Sequence, residues 1–369
     1  MIDRRKLLGA ATLGAAGLAT TACSQSTSDG AAGPAVQTRK KRRLTMTTTW
    51  PKDLPGLGTA AQRVADRIGE LSEGQMEVSV YASGELVPAF EAFDAVASGN
   101  VDMYHGADYY WQSKSKAFNF FTAVPMGMTA PEIMGWIDFG GGQALWEELS
   151  GQYGVIAFQA ANTGHQMGGW FKTEVNSLDD FRGLKMRIPG MGGDVVRALG
   201  GAAEALPGNE IYQALQTGRI DATEWVGPWN DYFLGFHREA KYHYGPGFHE
   251  PGSALALGIN RSKWDSLTPT EQAIIRTAAG EVNNQSVGEF TYQNGVYLEK
   301  LVNEEGVELR QFPKDVMARV QEISADIRSD AGNEGDLERR IYESFEDALI
   351  KMRGWARISD SPYMVAREL

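Results

Sequence analysis

Cysteine is almost missing from this chain: Cys23 is the only one in 369 residues. No intramolecular disulfide can form, so stability has to come from the core even in an oxidising compartment. Histidine is scarce too, with five residues at 105, 165, 237, 243 and 249, none in an H-E-x-x-H pattern. With thiols also lacking, the spacing points away from a zinc centre. There is no G-x-S-x-G elbow and no Walker A loop. Gly190-Met191-Gly192-Gly193 looks phosphate-friendly, but it lacks the third fingerprint glycine and reads as a helix N-terminus, whose main-chain donors can help hold an anion. Beyond the first residues no apolar run reaches the ~18 residues needed to cross a bilayer. Net positive charge is absent as well. Residues 1–43 carry plus six against minus twelve for the whole chain, which leaves minus eighteen on the remainder. So acidic a body repels nucleic acid, and small anions at long range, so a bound anion must be caught by local groups.

Export signals are present. Arg4-Arg5-Lys6-Leu7-Leu8 precedes a small-residue apolar run, Gly9 to Ala19, with the proportions of a secretory h-region. The paired arginines followed by Leu-Leu resemble a twin-arginine signal, which implies a periplasmic protein. Thr20-Thr21-Ala22-Cys23 resembles a lipobox with Thr in the place of Leu. Two readings stand: a lipid anchor on Cys23, which is carried forward, or an ordinary cleavage site. Residues 1–22 are therefore read as an export signal and 23–43 as a tether ending in the solvated basic run Arg39 to Arg43.

From Leu44 onward the hydrophobic content, 43% over the chain, is enough for two globular lobes. The patterning predicts strands at Leu44–Trp50, Met76–Tyr81, Gly154–Gln159, Gly168–Lys172, Leu184–Ile188, Ile220–Thr223 and Ala254–Ile259. Helices are predicted at Gly58–Leu71 and Pro88–Ala97. Strand and helix alternate, the signature of right-handed crossovers over a mostly parallel sheet. Thr268-Pro269-Thr270-Glu271 is a capping box with Pro at the first helical position, opening a long helix to about Val302 that could brace two lobes. A second helical region, Pro313 to Arg357, is rich in charge.

Between Gln166 and Glu250 the sequence places one Arg, Arg187, two Glu, Glu224 and Glu250, and the amide of Gln166. If they converge, the guanidinium is a planar two-pronged donor for a carboxylate, and the Glu and Gln oxygens suit a hard cation. Two carboxylates and an anionic ligand against one guanidinium leave minus two, costly to bury unless a cation enters. Na⁺ would bring the total to minus one and Ca²⁺ to zero. Each residue also has a plainer reading. Arg187 could pair with a surface Asp, although Ile188-Pro189-Gly190 after it makes a rigid turn that fixes where it points. Glu224 could belong to a structural ion pair, and Glu250 to a solvated turn. Tyr109, Tyr110, Trp225 and Trp229 could be core packing. Tyr110 and Asn162 are nominated as ligand hydrogen-bonding groups.

The blocks around these residues carry a family resemblance. Asn162-Thr163-Gly164-His165-Gln166-Met167-Gly168-Gly169-Trp170-Phe171, Leu184 to Gly190, Ala222 to Pro228 and His249-Glu250-Pro251-Gly252 resemble the extracytoplasmic solute-binding proteins of TRAP transporters. The similarity is to the subgroup that binds 2-oxo acids or lactate with a metal. It covers about Leu44 to the C-terminus. It implies an α/β, two-lobed periplasmic-binding-protein-like fold with mixed sheets, a long interlobe helix and C-terminal helices. One lobe is expected from 44–164 with about 250–285, the other from 165–249 with about 286–320, and residues 321–369 form a helical region able to meet a second copy in a homodimer. Arg187 resembles the Arg that grips the ligand carboxylate. Gln166, Glu224, the Trp225 main-chain carbonyl and Glu250 resemble the ligands of a metal cation, Na⁺ or Ca²⁺. The partners implied are a small carboxylate and TRAP membrane subunits. The competing reading is a periplasmic metal-assisted lyase or aldolase with Glu224 or Glu250 as base; the absence of a neighbouring nucleophile favours the receptor.

Overall fold

The computed structural model describes residues 41–369. The export signal, nearly all of the tether and Cys23 lie outside the described residues.

Eleven strands make two mixed sheets among the described residues. The first sheet holds β1 (Arg42–Thr48), β2 (Met76–Tyr81), β3 (Met103–Gly106), β4 (Val155–Asn162) and β10 (Ala254–Asn260), in the order β2-β1-β3-β10-β4. In the second are β5 (Gly169–Phe171), β6 (Lys185–Arg187), β7 (Ala202–Glu204), β8 (Ala222–Thr223), β9 (Tyr242–Gly245) and β11 (Glu308–Gln311), in the order β11-β9-β5-β8-β6-β7. β4 is buried along its whole length and reads as one apolar run. β2 instead starts with Met76 and Val78 inward and Glu77 and Ser79 outward, as an edge strand with one covered face does. The helix Leu57–Leu71 covers that face with Leu57, Ala60, Ala61, Val64, Ala65 and Ile68, a stripe at helical spacing.

The sheets are less parallel than periodicity suggested. β10 runs antiparallel between β3 and β4, and β5 runs antiparallel to β8 and β9. These two strands follow the crossings made by a loop alone, from β4 to β5 and from β9 to β10; the third crossing, from β10 to β11, runs through the helix Pro269–Asn303, and β11 lies parallel to β9. At these two crossings the connection is a plain loop between sheets, so the handedness rule for helical crossovers within one sheet does not govern it.

The capping box at Thr268 is formed: Thr268 Oγ1 accepts from Glu271 N at 3.2 Å, and Glu271 Oε2 accepts from Thr268 N at 2.8 Å. The helix it opens, Pro269–Asn303, packs on β4, on the helix Leu57–Leu71 and on the helix Pro228–Leu234. It continues through the expected boundary at 285/286. The boundary at 320/321 also falls inside a helix, Lys314–Gly332, which packs on the helix Gly190–Ala198 and pairs with Asp336–Ala356. A further departure is at the N-terminal end, where Arg42 and Arg43 belong to β1 and not to a tether. Arg42 pairs with Glu271 at 2.9 Å, and Lys41 with Glu77 at 2.8 Å, so part of the basic run is held by carboxylates.

Candidate functional site

Arg187 ends β6, and Glu224 directly follows β8, its parallel neighbour. The register sets Arg187 opposite Thr223, so both side chains leave the C-terminal ends of adjacent strands, where open α/β sheets place ligands. The two form a buried ion pair through Arg187 Nη1 and Glu224 Oε1. Arg187 Nη1 also donates to the Glu224 main-chain oxygen at 3.1 Å, and Nε donates to Leu206 O at 3.1 Å. Nη2 is left to face Tyr110 Oη at 3.4 Å. In this arrangement both Nη1 hydrogens and Nε are engaged by the protein, and Nη2 is the nitrogen left to reach a ligand. Burial pulls the guanidinium pKa down, but Glu224, Tyr110 and Tyr109 outweigh it, so Arg187 stays charged. The ring of Trp225 lies 5.0 Å from Arg187 Cζ, a cation–π contact that holds the guanidinium plane.

Gln166 and Glu250 come from the two crossing loops, which bond to each other. Gln166 N donates to Glu250 O at 3.2 Å, and Gly247 N to Gln166 O at 2.9 Å. A Cβ at Gly247 would lie 2.5 Å from Gln166 O, so glycine is needed for the approach. The Gln166 amide nitrogen donates to Glu250 Oε2 at 2.9 Å and to Thr163 Oγ1 at 3.0 Å, and Ser253 Oγ also bonds Glu250 Oε2. Gln166 Oε1 is buried with no partner, as is the Asn162 side-chain nitrogen. Asn162 Oδ1 is turned to Gly164 N at 2.9 Å. Burial, then the Glu224 charge, raises the Glu250 pKa to about 7. Two buried carboxylates, one of them raised by burial and then by the other's charge, and a buried carbonyl oxygen without a donor fit a cation.

A narrow cleft is lined by the apolar residues Trp50, Leu57, Val226 and Leu255 and by polar groups including Tyr110, Thr163, Gln166 and Glu250. Its free volume is only about 10 Å³, against the ~300–1,000 Å³ of a drug-sized site, so its walls nearly meet. Trp50 turns its indole N–H away, to His105 Nδ1 at 2.8 Å, and presents carbon to the cavity.

Arg187, Glu224, Gln166, Glu250, Tyr110 and Trp225 thus gather at one place. The plain reading of Glu224 as an ion-pair partner is also true, with Arg187 as the partner. Sequence reasoning missed two residues. His249 Nε2 lies 3.1 Å from Glu224 Oε2, opposite the Arg187 side. Asp231 accepts from Val226 N and Gly227 N, each at 3.2 Å, and from Trp170 Nε1 at 2.8 Å, fixing the turn after Glu224 and Trp225. Its signal was present: an acid in the first turn of the helix Pro228–Leu234, after Gly227-Pro228.

The model of the family "Bacterial extracellular solute-binding protein, family 7" matches residues 46–332. The chain is 39% identical to the monocarboxylate 2-oxoacid-binding periplasmic protein of Nostoc sp., over 98% of both chains. Among solved structures it is similar to a TRAP solute-binding protein of Bordetella bronchiseptica, a dimer with copurified calcium and picolinate (TM-score 0.86, 33% identity, 89% of this chain and 99% of that one). Another is the TRAP periplasmic solute-binding protein of Pseudoalteromonas atlantica with bound sodium and pyruvate (TM-score 0.85, 36% identity, 88% and 99%). These matches decide between receptor and enzyme: with its two-lobed α/β fold, the chain belongs to the family 7 bacterial extracellular solute-binding proteins, the periplasmic receptors of TRAP transporters.

Proposed function

We propose that this receptor captures a small monocarboxylate, a 2-oxo acid such as pyruvate or a 2-hydroxy acid such as lactate, together with Na⁺ or Ca²⁺, and delivers it to TRAP membrane subunits. The observation that carries the reading is the unpartnered Gln166 Oε1 facing the same cavity as Glu250, beside the Arg187–Glu224 pair. Gln166, Glu224, the Trp225 carbonyl and Glu250 would hold the cation, which supplies positive charge to a carboxylate and a keto or hydroxyl oxygen. Arg187 through Nη2, Tyr110 through its hydroxyl and Asn162 through its unpartnered amide nitrogen hold and orient the organic acid. The apolar wall of Trp50, Leu57, Val226 and Leu255 suits a short alkyl tail and offers no donor to a second carboxylate.

The two sheets belong to separate lobes, with 44–164 and about 250–285 forming one and 165–249 and about 286–320 the other; the helices that run through the last boundaries tie the lobes together. Closure brings Tyr110 onto Arg187 and shields the charged ligand from water. Export by the twin-arginine route and a lipid anchor on Cys23 complete the reading, on the strength of Arg4-Arg5 and of Thr20 to Cys23. A second copy suits the exposed Trp355, Ile358, Tyr363, Met364 and Val365 near the C-terminus.

A thermal-shift panel of small carboxylates, run with and without chelator, tests the function. A ligand at a hundred times its dissociation constant should stabilise by about 2.7 kcal/mol. No shift with any 2-oxo or 2-hydroxy acid in the presence of Na⁺ and Ca²⁺ would remove the proposal.

A further inference from the structure

We propose that His105, acting through Trp50, sets the length of acid that the receptor accepts. The imidazole locks the Trp50 indole as a fixed end wall of the cleft, so a 2-oxo acid with a methyl tail is taken and one with a longer straight chain is rejected. The inference rests on the monocarboxylate reading above and names what limits its substrate. Trp50 lines the cleft and His105 does not, which makes His105 a positioning residue.

Trp50 stands two residues beyond β1 and is held at both its main chain and its ring. Its N donates to Thr48 Oγ1 at 3.3 Å, and its O accepts from Ser83 N at 2.9 Å. Its Nε1 donates to His105 Nδ1 at 2.8 Å. The parallel register of β1 and β3 sets His105 opposite Thr48, and His105 O accepts from Thr49 N at 3.1 Å, so imidazole and indole are carried by the same two strands. Burial keeps the imidazole neutral, pulling its pKa down to about 4, and leaves Nδ1 a lone pair with which to accept. A buried indole N–H needs a partner. With that partner behind the ring, the indole has no reason to turn toward the polar groups of the cleft. Its ring meets Trp225 edge to face, with centroids 6.3 Å apart and planes at 86°, and Trp225 in turn lies 5.0 Å from Arg187 Cζ. The wall therefore begins one aromatic ring away from the guanidinium. Trp225 cannot retreat, because its ring packs on Gly208 so closely that a Cβ there would lie 2.6 Å from Trp225 Cη2. The free volume left in the cleft, about 10 Å³, is the lower limit for a single water molecule. Opening of the lobes admits a ligand, but Trp50 and His105 belong to one sheet and move as a unit, so the wall keeps its shape.

The test is calorimetry on mature protein in the presence of Na⁺ and Ca²⁺, comparing pyruvate with 2-oxohexanoate, which adds three methylenes. A single methylene against a fixed apolar wall changes affinity by roughly 10-fold or more, so the parent should favour pyruvate by at least ~30-fold. Trp50→Ala removes the wall and should bring the two acids to within about threefold of each other. His105→Leu leaves the indole in place without its acceptor and should cut the preference at least ~10-fold, whereas His105→Asn, whose Oδ1 can accept from Trp50, should hold it within about threefold of the parent. A histidine needed only for packing would weaken both acids alike and leave their ratio unmoved. Benzothienylalanine placed at position 50 has the shape of tryptophan without the N–H, and it should lower the ratio as His105→Leu does, which keeps the test readable where that variant does not fold. Equal binding of the two acids by the parent, a preference retained in Trp50→Ala, or one retained when the N–H or its acceptor is removed would each overturn the inference. A parent that binds neither acid would strike the receptor reading, and this inference with it; a parent that binds pyruvate with an unmoved ratio in the variants would strike only the role of His105 and Trp50.

Discussion

Tyr110 Oη stands 3.4 Å from Arg187 Nη2, a contact between the turn after β3 in one sheet and the end of β6 in the other. On the proposed reading it forms as the lobes close, and it occupies the guanidinium nitrogen that a carboxylate would share. Tyr110→Phe should therefore weaken carboxylate binding by about 0.5–1.5 kcal/mol, the net worth of one hydrogen bond. The loss should appear mostly in the dissociation rate, because the hydroxyl helps keep the lobes shut. Stopped-flow fluorescence reads both rates. An unchanged dissociation rate would take Tyr110 out of the site.

Arg187→Lys should cost more. An ammonium cannot reach Leu206 O, Glu224 O and Glu224 Oε1 while still presenting a nitrogen to ligand, as the fork does. Affinity for pyruvate should fall by about 1.5–3 kcal/mol, roughly 10- to 150-fold, read by calorimetry on the purified variant. Small-angle scattering should show the decrease in radius of gyration on adding ligand to the parent protein and not to the variant at the same concentration.

Arg187 was legible in the sequence because a strand followed by Ile188-Pro189-Gly190 states where a side chain at its end will point. The long helix was equally legible from Thr268, Pro269 and Glu271, whose cap is a local hydrogen-bond pattern. The direct pairing of Arg187 with Glu224 was not, since it depends on β6 lying beside β8, a strand of two residues with no periodicity to detect. The reversal of β5 and β10 was hidden for a similar reason: each enters its sheet by a short loop from the other sheet, and no residue pattern within the strand records that. His249 escaped notice because its role exists only once two loops meet, while its sequence neighbours describe a turn.

Removing the cation should remove the ligand. Without it, Glu224, Glu250 and an incoming carboxylate share a buried site with the Arg187 guanidinium and the His249 imidazole, and burying three acids together costs several kcal/mol. Dialysed protein shown by elemental analysis to be metal-free should bind pyruvate at least ~100-fold more weakly, and adding back Na⁺ or Ca²⁺ should restore it. Glu250→Gln should lower the cation affinity and reduce the dependence of ligand binding on added metal, since one buried negative charge is gone. Full-strength binding in metal-free parent protein would refute the charge argument.

The second sheet carries a further acid sensitivity, around Trp170. His243 stacks on Trp170 with ring centroids 3.9 Å apart, has no hydrogen-bond partner on either nitrogen, and faces Asp231 Oδ2 at 3.8 Å. Burial lowers its pKa to about 3. The unfolded chain takes up a proton near the ordinary histidine value of about 6.5 while the folded one does not, so stability is present above that pH and is lost as pH falls toward 3. Asp231 works in the opposite sense, because burial raises its pKa to about 7 and the folded state holds its proton where the unfolded state has lost it. His243→Phe keeps the stack, removes two buried nitrogens without partners, and deletes only the histidine contribution. Urea unfolding followed by tryptophan fluorescence should find the variant equal to or about 1 kcal/mol more stable than the parent at pH 7. At pH 4.5 its advantage should grow by about 2–3 kcal/mol, at 1.36 kcal/mol per pH unit below the unfolded value. An advantage that stays the same at both pH values would mean that His243 titrates alike in the folded and unfolded chains, and that the Trp170 stack does not keep it neutral.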